Sequence, residues 1–494
     1  MNINNPISVS VDIDNVVSAT ITTPITVGQH APSGTINITE NGLHPVAGYA
    51  KADVNISIPS EYIQLMDYFQ GQRSSYLSNS ILQSIGDDAF IFDEVLQSVY
   101  LPNVTNIGVC AFSGCTSLAS INIPKVSHLG HGAFMDTALS NLNISNDITI
   151  DNFCFQYSNL ESAAFPNATY IGDSAFGYCY NLKSIYIPKI SSIESWVFSN
   201  CGFISVDFSN INYVGYGAFS NCANLTDVNL PNATTIYSCA FENDRSLENV
   251  NIPKATSIGN AAFSYCTSLS NINAINVAYI GNSAFNSCAI ESINMPSATY
   301  IGDNAFGFCQ KLTSINFPIA SYAGQYAFYN CNTLTFANLP IVEKVTYYMF
   351  NRCFHLTSVN LPEASLVGQY AFASCSSLAS INLPATTSIS SYAFTYCIEL
   401  TTASFPAVSY IGNYAFSHCY VLKSLYLLGS IVASLGGSNV FSSTPYVSPK
   451  SGTYGSIFVP QSLYDAYISA KYWSAFSSRF VSLTDAEIEL IRNE

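Results

Sequence analysis

The stretch "IGDNAFGFCQKLTSINFP", residues 301 to 318, decides the fold. It gathers a Gly, a carboxylate, a Cys, a Lys and a Ser within eighteen residues, the ingredients of a nucleophilic site. The rest of the chain argues against that reading, because the stretch recurs. Aligned on the Phe of "AF", the column runs Phe90, Phe112, Phe134, Phe155, Phe176, Phe198, Phe219, Phe241, Phe263, Phe285, Phe306, Phe328, Phe350, Phe372, Phe394 and Phe416. That is sixteen copies at steps of 21 or 22 residues, with a degenerate copy at Phe441. Self-similarity at such a period is the signature of stacked repeats.

The unit reads I-G-x-x-A-F-x-x-C-x-x-L-x-x-I-x-I-P. Ala precedes the Phe in thirteen of sixteen copies, and Cys154, Val197 and Met349 replace it elsewhere, so the position takes small to medium apolar groups. The I-x-I segment alternates with period two, as a half-buried strand does. Pro ends twelve of these strands, and with no N–H to donate it suits a strand exit. The 21-residue steps begin at Phe134, Phe155, Phe198 and Phe285, and each loses its residue between the Phe and the Leu position. That segment is expected to be a turn that shortens without disturbing the strand. Gly302 is expected to serve a turn as well.

The repeated unit resembles the BspA-type, or Treponema-type, leucine-rich repeats found in bacteria, their phages and some protozoa, over roughly residues 81 to 427. The resemblance implies a mostly β repeat solenoid, a right-handed curved leucine-rich-repeat array with a parallel β-sheet on its concave face. It also implies surface adhesion and protein binding, the usual description of the family. One such repeat cannot bury its apolar face alone, whereas a stack buries a continuous core.

Composition supports a core and excludes several partners. Hydrophobic residues make up 49% and charged residues only 9%, the reverse of a disordered chain. The net charge is −16, and no basic run exists to track a phosphate backbone or an anionic membrane surface. No nucleic-acid partner and no membrane insertion are expected; no apolar run reaches the roughly 18 residues of a spanning helix. The start, "MNINNPISVSVDID", lacks the basic and apolar regions of a secretory signal. A chain made in the cytoplasm is expected, ending on a virion surface or, alternatively, on a bacterial cell surface.

The ends differ from the repeat. Residues 1 to 58 carry alternating strand patterns such as "ISVSVDI" and "ADVNISI", which predict a small N-terminal β module. Its segment "SGTINITENGLHPVAGYAKADVNI", residues 33 to 56, resembles a short β module of predicted tail and surface proteins of Gram-positive bacteria and their prophages. That resemblance implies attachment to a larger assembly. Residues 59 to 80 are read as a helical linker, with a helix over 59 to 73 capping the first coil. Residues 428 to 494 are read as a degenerate repeat and a cap, a strand followed by a helix from about Gln461. This end resembles the cap often seen after these repeats.

Twelve of fifteen cysteines stand three residues after the Phe, from Cys115 to Cys419. Uninterrupted runs of one, three and eight would strand thiols if they paired, so a column of thiols is expected. The other four copies carry Asp93, Thr137, Ser158 and Asp244, which points to a small, mildly polar position facing backbone N–H groups. The spacing is not that of a Zn site. His128 and His131 lie three apart with no carboxylate or Cys pattern joining them. No nucleophile elbow, zincin or P-loop motif occurs. Carboxylates in "IGDDAF", "IGDSAF" and "IGDNAF" recur once per turn and read as solubility. Neither a catalytic site nor a cofactor or metal is expected.

What remains is the outward face of the strand. Its third position is commonly Ser, as at Ser314. Its fifth is Asn in ten copies: Asn122, Asn143, Asn229, Asn251, Asn273, Asn294, Asn316, Asn338, Asn360 and Asn382. One reading is structural, with stacked amides keeping an exposed sheet soluble without charge. The other is a ligand face, marked by breaks in the pattern at Tyr100, Tyr186, Phe336, Tyr426, Asp207 and Asp227. The functional expectation is a binding or adhesion protein, of phage or prophage origin, recognising a cell-surface glycan or protein. A bacterial adhesin is the alternative.

Overall fold

The computed structural model describes residues 18–22, 26–27, 35–46, 49–57, 74–447 and 455–493. The helix expected over 59 to 73 lies outside the described residues. The chain is a parallel β solenoid that divides into two units, Met1–Tyr170 and Ile171–Glu494.

In the first unit, Ser18–Thr22, Thr35–Val46 and Tyr49–Ser57 form an antiparallel sheet. The repeats follow. Three-residue strands Tyr76–Ser78, Ser98–Tyr100 and Ser120–Asn122 pair in parallel, as do Asn141–Asn143 and Ser162–Ala164.

The second unit repeats the same plan. Its three-residue strands Ser205–Asp207, Asp227–Asn229, Asn249–Asn251 and Asn271–Asn273 make one parallel sheet. Ser314–Asn316, Phe336–Asn338 and Ser358–Asn360 make another. Ser380–Asn382, Thr402–Ser404 and Ser424–Tyr426 join Ser456–Pro460 and Phe480–Leu483 in a third. After Ser456–Pro460 come a short helix, Tyr464–Ser469, and Asp485–Asn493. Trp473 and Tyr467 are fully buried here, and Trp473 lies 5.7 Å from the ring of Phe441.

Why the strands alternate is visible in one coil: Leu312, Ile315 and Phe317 are fully buried, while Ser314 and Asn316 are exposed. The core is a stack of the aligned Phe rings. Centroids lie 5.0–5.6 Å apart from Phe90 to Phe155. They lie 5.2–5.8 Å apart from Phe176 to Phe441. Offset stacking at this separation is a favoured aromatic geometry. Deleting one such ring, as in Phe306→Ala, removes about 3–5 kcal/mol of packing.

Three features depart from the sequence reading. A second parallel ladder of two-residue strands runs just before the repeat Gly, for example Tyr279–Ile280, Tyr300–Ile301 and Tyr322–Ala323. The Gly itself is not a left-handed turn residue. A Cβ on Gly302 would stand 2.6 Å from the backbone of Gly281 and Asn282, so it allows close approach between coils. The coil of Phe285 does lose its strand: only an isolated bridge, Ser292 to Ser314, remains. The other three shortened coils, those of Phe134, Phe155 and Phe198, keep their strands.

Two residues per coil, two before and two after the Phe, take left-handed backbone angles. In the coil of Phe306 they are Asn304 and Phe308, with φ of 56° and 60°. Their N–H groups, with that of Phe306 between them, donate to Gln325, Ala327 and Tyr329 of the next coil at 2.8 Å. The tight turn is thus itself an inter-coil ladder.

Candidate functional site

Within the second unit the exposed strand face carries two ladders of side-chain amides. Register brings Asp207, Asn229, Asn251 and Asn273 side by side on consecutive strands. Asn229 Nδ2 donates to Asp207 Oδ1 at 2.8 Å, Asn251 to Asn229 Oδ1 at 2.7 Å, and Asn273 to Asn251 Oδ1 at 2.8 Å. Beside it, Asn249 donates to Asp227 Oδ1 at 2.7 Å and Asn271 to Asn249 Oδ1 at 2.9 Å. Each ladder therefore runs in one direction and ends on a carboxylate. The hydroxyl of Thr226 (2.6 Å) and the amide of Asn249 hold the Asp227 carboxyl below its ordinary range.

Asp227, Asn229, Asn249, Asn251, Asn271 and Asn273 line a shallow, open depression of about 480 Å³, which extends to Asn294. Asn229, Asn249, Asn251 and Asn273 each spend one N–H on a neighbour and keep the other, whereas Asn271 also donates to Ser270 Oγ at 3.2 Å, so the surface offers donors and acceptors in a fixed row with little charge. Asn249 and Asn271 were not singled out in the sequence reading. Their signal was Asn in the third strand position, where Ser is usual.

The other face residues are spread out. Asn316, Asn338 and Asn360 form a separate ladder, with bonds of 2.6 and 2.7 Å. Phe336 is exposed on that sheet, beside Ser314 and Ser358 in register. Tyr186 is 60% exposed. Asn382 pairs in register with Ser404, apart from the amide ladders. Tyr426 is covered by Phe458, with ring centroids 4.6 Å apart. In the first unit, Tyr100 is exposed and lies opposite Asn122 in register, and Asn143 lies opposite Ala164.

The remaining candidates resolve into scaffold. All fifteen cysteines are thiols, none in a disulfide. Cys309 Sγ donates to the carbonyl of Phe285 at 3.1 Å, and Cys331 does the same to Phe306 at 3.0 Å. The thiol thus faces a backbone carbonyl, where the sequence pointed to backbone N–H groups; Asp93 at the same position in its coil does accept N–H groups, those of Val95 and Leu96. Burial pushes the Cys309 thiol up to about 12, which leaves it inert as a nucleophile. The turn carboxylates are structural too: Asp303 Oδ1 accepts the N–H of Gln325 at 2.8 Å, and Asp87 that of Val109. Asn167 and Asn232, in the turns that follow two of the strands, donate to the Ser145 and Ser209 carbonyls at 2.6 Å.

His128 is a correction. Its Nε2 lies 3.5 Å from Asp151 Oδ2 and its Nδ1 3.0 Å from Thr149 Oγ1. The carboxylate partner sits one coil away, which hid it in the sequence. His128 and Asp151 are 39% and 38% exposed, a surface pair worth little. Among the described residues no group of three His, Cys, Asp or Glu could hold a metal ion, and no helix is long and apolar enough to cross a membrane.

No curated protein matches the chain. Solved structures similar to it include a leucine-rich repeat protein from Bacteroides ovatus, at 22% identity over 81% of this chain and 97% of that one, with a TM-score of 0.43. A leucine-rich cell surface protein from Faecalibacterium prausnitzii matches at 18% identity over 72% and 95%, TM-score 0.34. The pneumococcal vaccine antigen PcpA matches at 13% identity over 94% and 98%, TM-score 0.32. The model of the BspA type leucine rich repeat region matches six overlapping segments, 83–205, 148–269, 192–313, 234–353, 299–423 and 343–448. With that match across most of its length and the repeat geometry above, the chain belongs to the BspA-type leucine-rich repeat family.

Proposed function

We propose that this chain is a non-enzymatic binding protein that recognises a cell-surface glycan or protein through the exposed strand face of its repeats. The pair of amide ladders running from Asp207 and Asp227 carries the reading. The amides are fixed by one another before any ligand arrives, so little side-chain freedom remains to be lost on binding. A row of amide donors and acceptors, charged only at its Asp207 and Asp227 ends, suits hydroxyl-rich or backbone-rich partners rather than ionic ones.

The proposal extends to context: a phage or prophage structural protein, attached through residues 1 to 58 and displayed on a virion. The resemblance of residues 33 to 56 to modules of tail and surface proteins supports it.

The test is a glycan and protein array probed with the full chain and with Asn249→Ala/Asn251→Ala, Tyr186→Ala and Phe336→Ala variants. The paired amide substitution is expected to weaken the best array signal at least about tenfold, a loss of about 1.4 kcal/mol. Unchanged binding in all three variants would remove the strand face from consideration. Immunogold labelling of virions against intact bacteria separates the virion from the adhesin reading.

A further inference from the structure

Five tyrosines stand in one column of the second unit: Tyr326, Tyr348, Tyr370, Tyr392 and Tyr414. Each lies two residues before its coil's core Phe, at a left-handed backbone position with φ of 57–63°. Successive ring centroids are 4.9, 4.7, 4.8 and 5.0 Å apart, with planes 11–31° from parallel. The rings are half-buried. Their faces cover one another; Tyr347 and Tyr329 pack edge-on against Tyr326 and Tyr348, and the Tyr414 hydroxyl accepts from Asn439 Nδ2 at 3.0 Å.

The easily oxidised sulfur around them is shielded. Met349, Cys353 and Cys375 are fully buried. A small oxidant reaching this surface meets phenol before thiol or thioether. Rings carried in register on neighbouring coils also keep like atoms opposite one another.

We propose that this column is a site of oxidative modification, where a haem peroxidase with hydrogen peroxide joins tyrosines of adjacent coils as dityrosine. Each of two phenols gives up one electron and one proton to become a phenoxyl radical. The two radicals combine through a carbon–carbon bond between the positions ortho to oxygen. The two ortho hydrogens then move to the oxygens and restore both phenols. The two electrons and two protons reduce one hydrogen peroxide to two waters. The product staples one coil to the next in a chain that has no disulfide.

The experiment treats the full chain with peroxidase and a limiting dose of peroxide, then follows dityrosine fluorescence and maps linked peptides by mass. The expected product is a monomer that has lost two hydrogens per link, joined at Tyr348–Tyr370, Tyr370–Tyr392 or Tyr392–Tyr414. It should form at least about tenfold faster than in the urea-unfolded chain, because the fold supplies the encounter. A Tyr348→Phe/Tyr392→Phe variant keeps the stacked rings but leaves no adjacent pair among the column tyrosines, and these links should vanish. The separate stack of Tyr279, Tyr300 and Tyr322, at 5.0 and 4.9 Å, remains in that variant and reports that the oxidant is active. Equal rates in folded and unfolded chain, or products that are only intermolecular, would overturn the proposal. So would linkage absent from the column while the reference stack is linked.

Discussion

Asp244 and Asp227 are the same residue type in two different ladders, and their carboxyls are driven in opposite directions. Asp244 occupies the inner thiol column and is fully buried. Its Oδ1 accepts the N–H of Cys222 at 2.7 Å, and its Oδ2 has no partner. Burial pushes this carboxyl well above its ordinary value. Asp227 heads an outer amide ladder, where a hydroxyl and an amide hold its charged form and pull the carboxyl down. The position in the repeat, not the residue, sets the chemistry. Inside, where water is absent, the unit relies on a weakly polar thiol that one carbonyl can satisfy. Outside, where water competes, it relies on amides that satisfy each other.

The strongest way to break the contrast is to place another carboxyl inside the second unit. Cys309→Asp is expected to cost about 3 kcal/mol or more at neutral pH, read from urea unfolding, because the buried acid lacks a full set of partners. A cost equal to that of a surface change would mean that the column tolerates polarity. Next in size, Asp244→Cys restores the column and is expected to stabilise the chain by about 1–3 kcal/mol at pH 7. The sign follows from linkage. The folded carboxyl has a raised pKa and the unfolded one stays near about 4, so above that pH the unfolded state gains by ionising. Stability from Asp244 is therefore greatest in acid and falls as pH rises, and the substitution should flatten that slope. The smallest effect belongs to Asp227→Asn, expected within about 0.5 kcal/mol at pH 7. Its signature is opposite: the lowered pKa gives stability above about pH 4 that is lost as pH falls through the folded value, and the amide removes that acid limb.

Much of the fold was legible because the Phe, Leu and I-x-I positions recur often enough for the core to be read as columns. The second strand column was not, since two residues such as Tyr300 and Ile301 are too few to show alternation. Left-handed backbone at Phe308, Tyr326 or Trp196 was also hidden, because such angles favour Gly and Asn, and here the neighbouring coil's hydrogen bonds impose them. On the strand face, the fifth-position asparagines were visible. The pairing of Asn249 with Asp227, and of His128 with Asp151, needed the coil-to-coil register, which no local pattern encodes.

From the coil of Phe198 onward, the gaps in the two ladders of the second unit never fall at the same joint. The outer sheet breaks between Asn273 and Ser314, where the two-residue strands at Tyr279, Tyr300 and Tyr322 continue. The two-residue ladder breaks between Ala323 and Lys344, where Ser314, Phe336 and Ser358 stay paired. The outer sheet breaks again between Asn360 and Ser380, and there Lys344 and Leu366 hold across the joint. That stretch is laid like brickwork in overlapping courses, so a crack that starts in one course meets an unbroken one before it can run through.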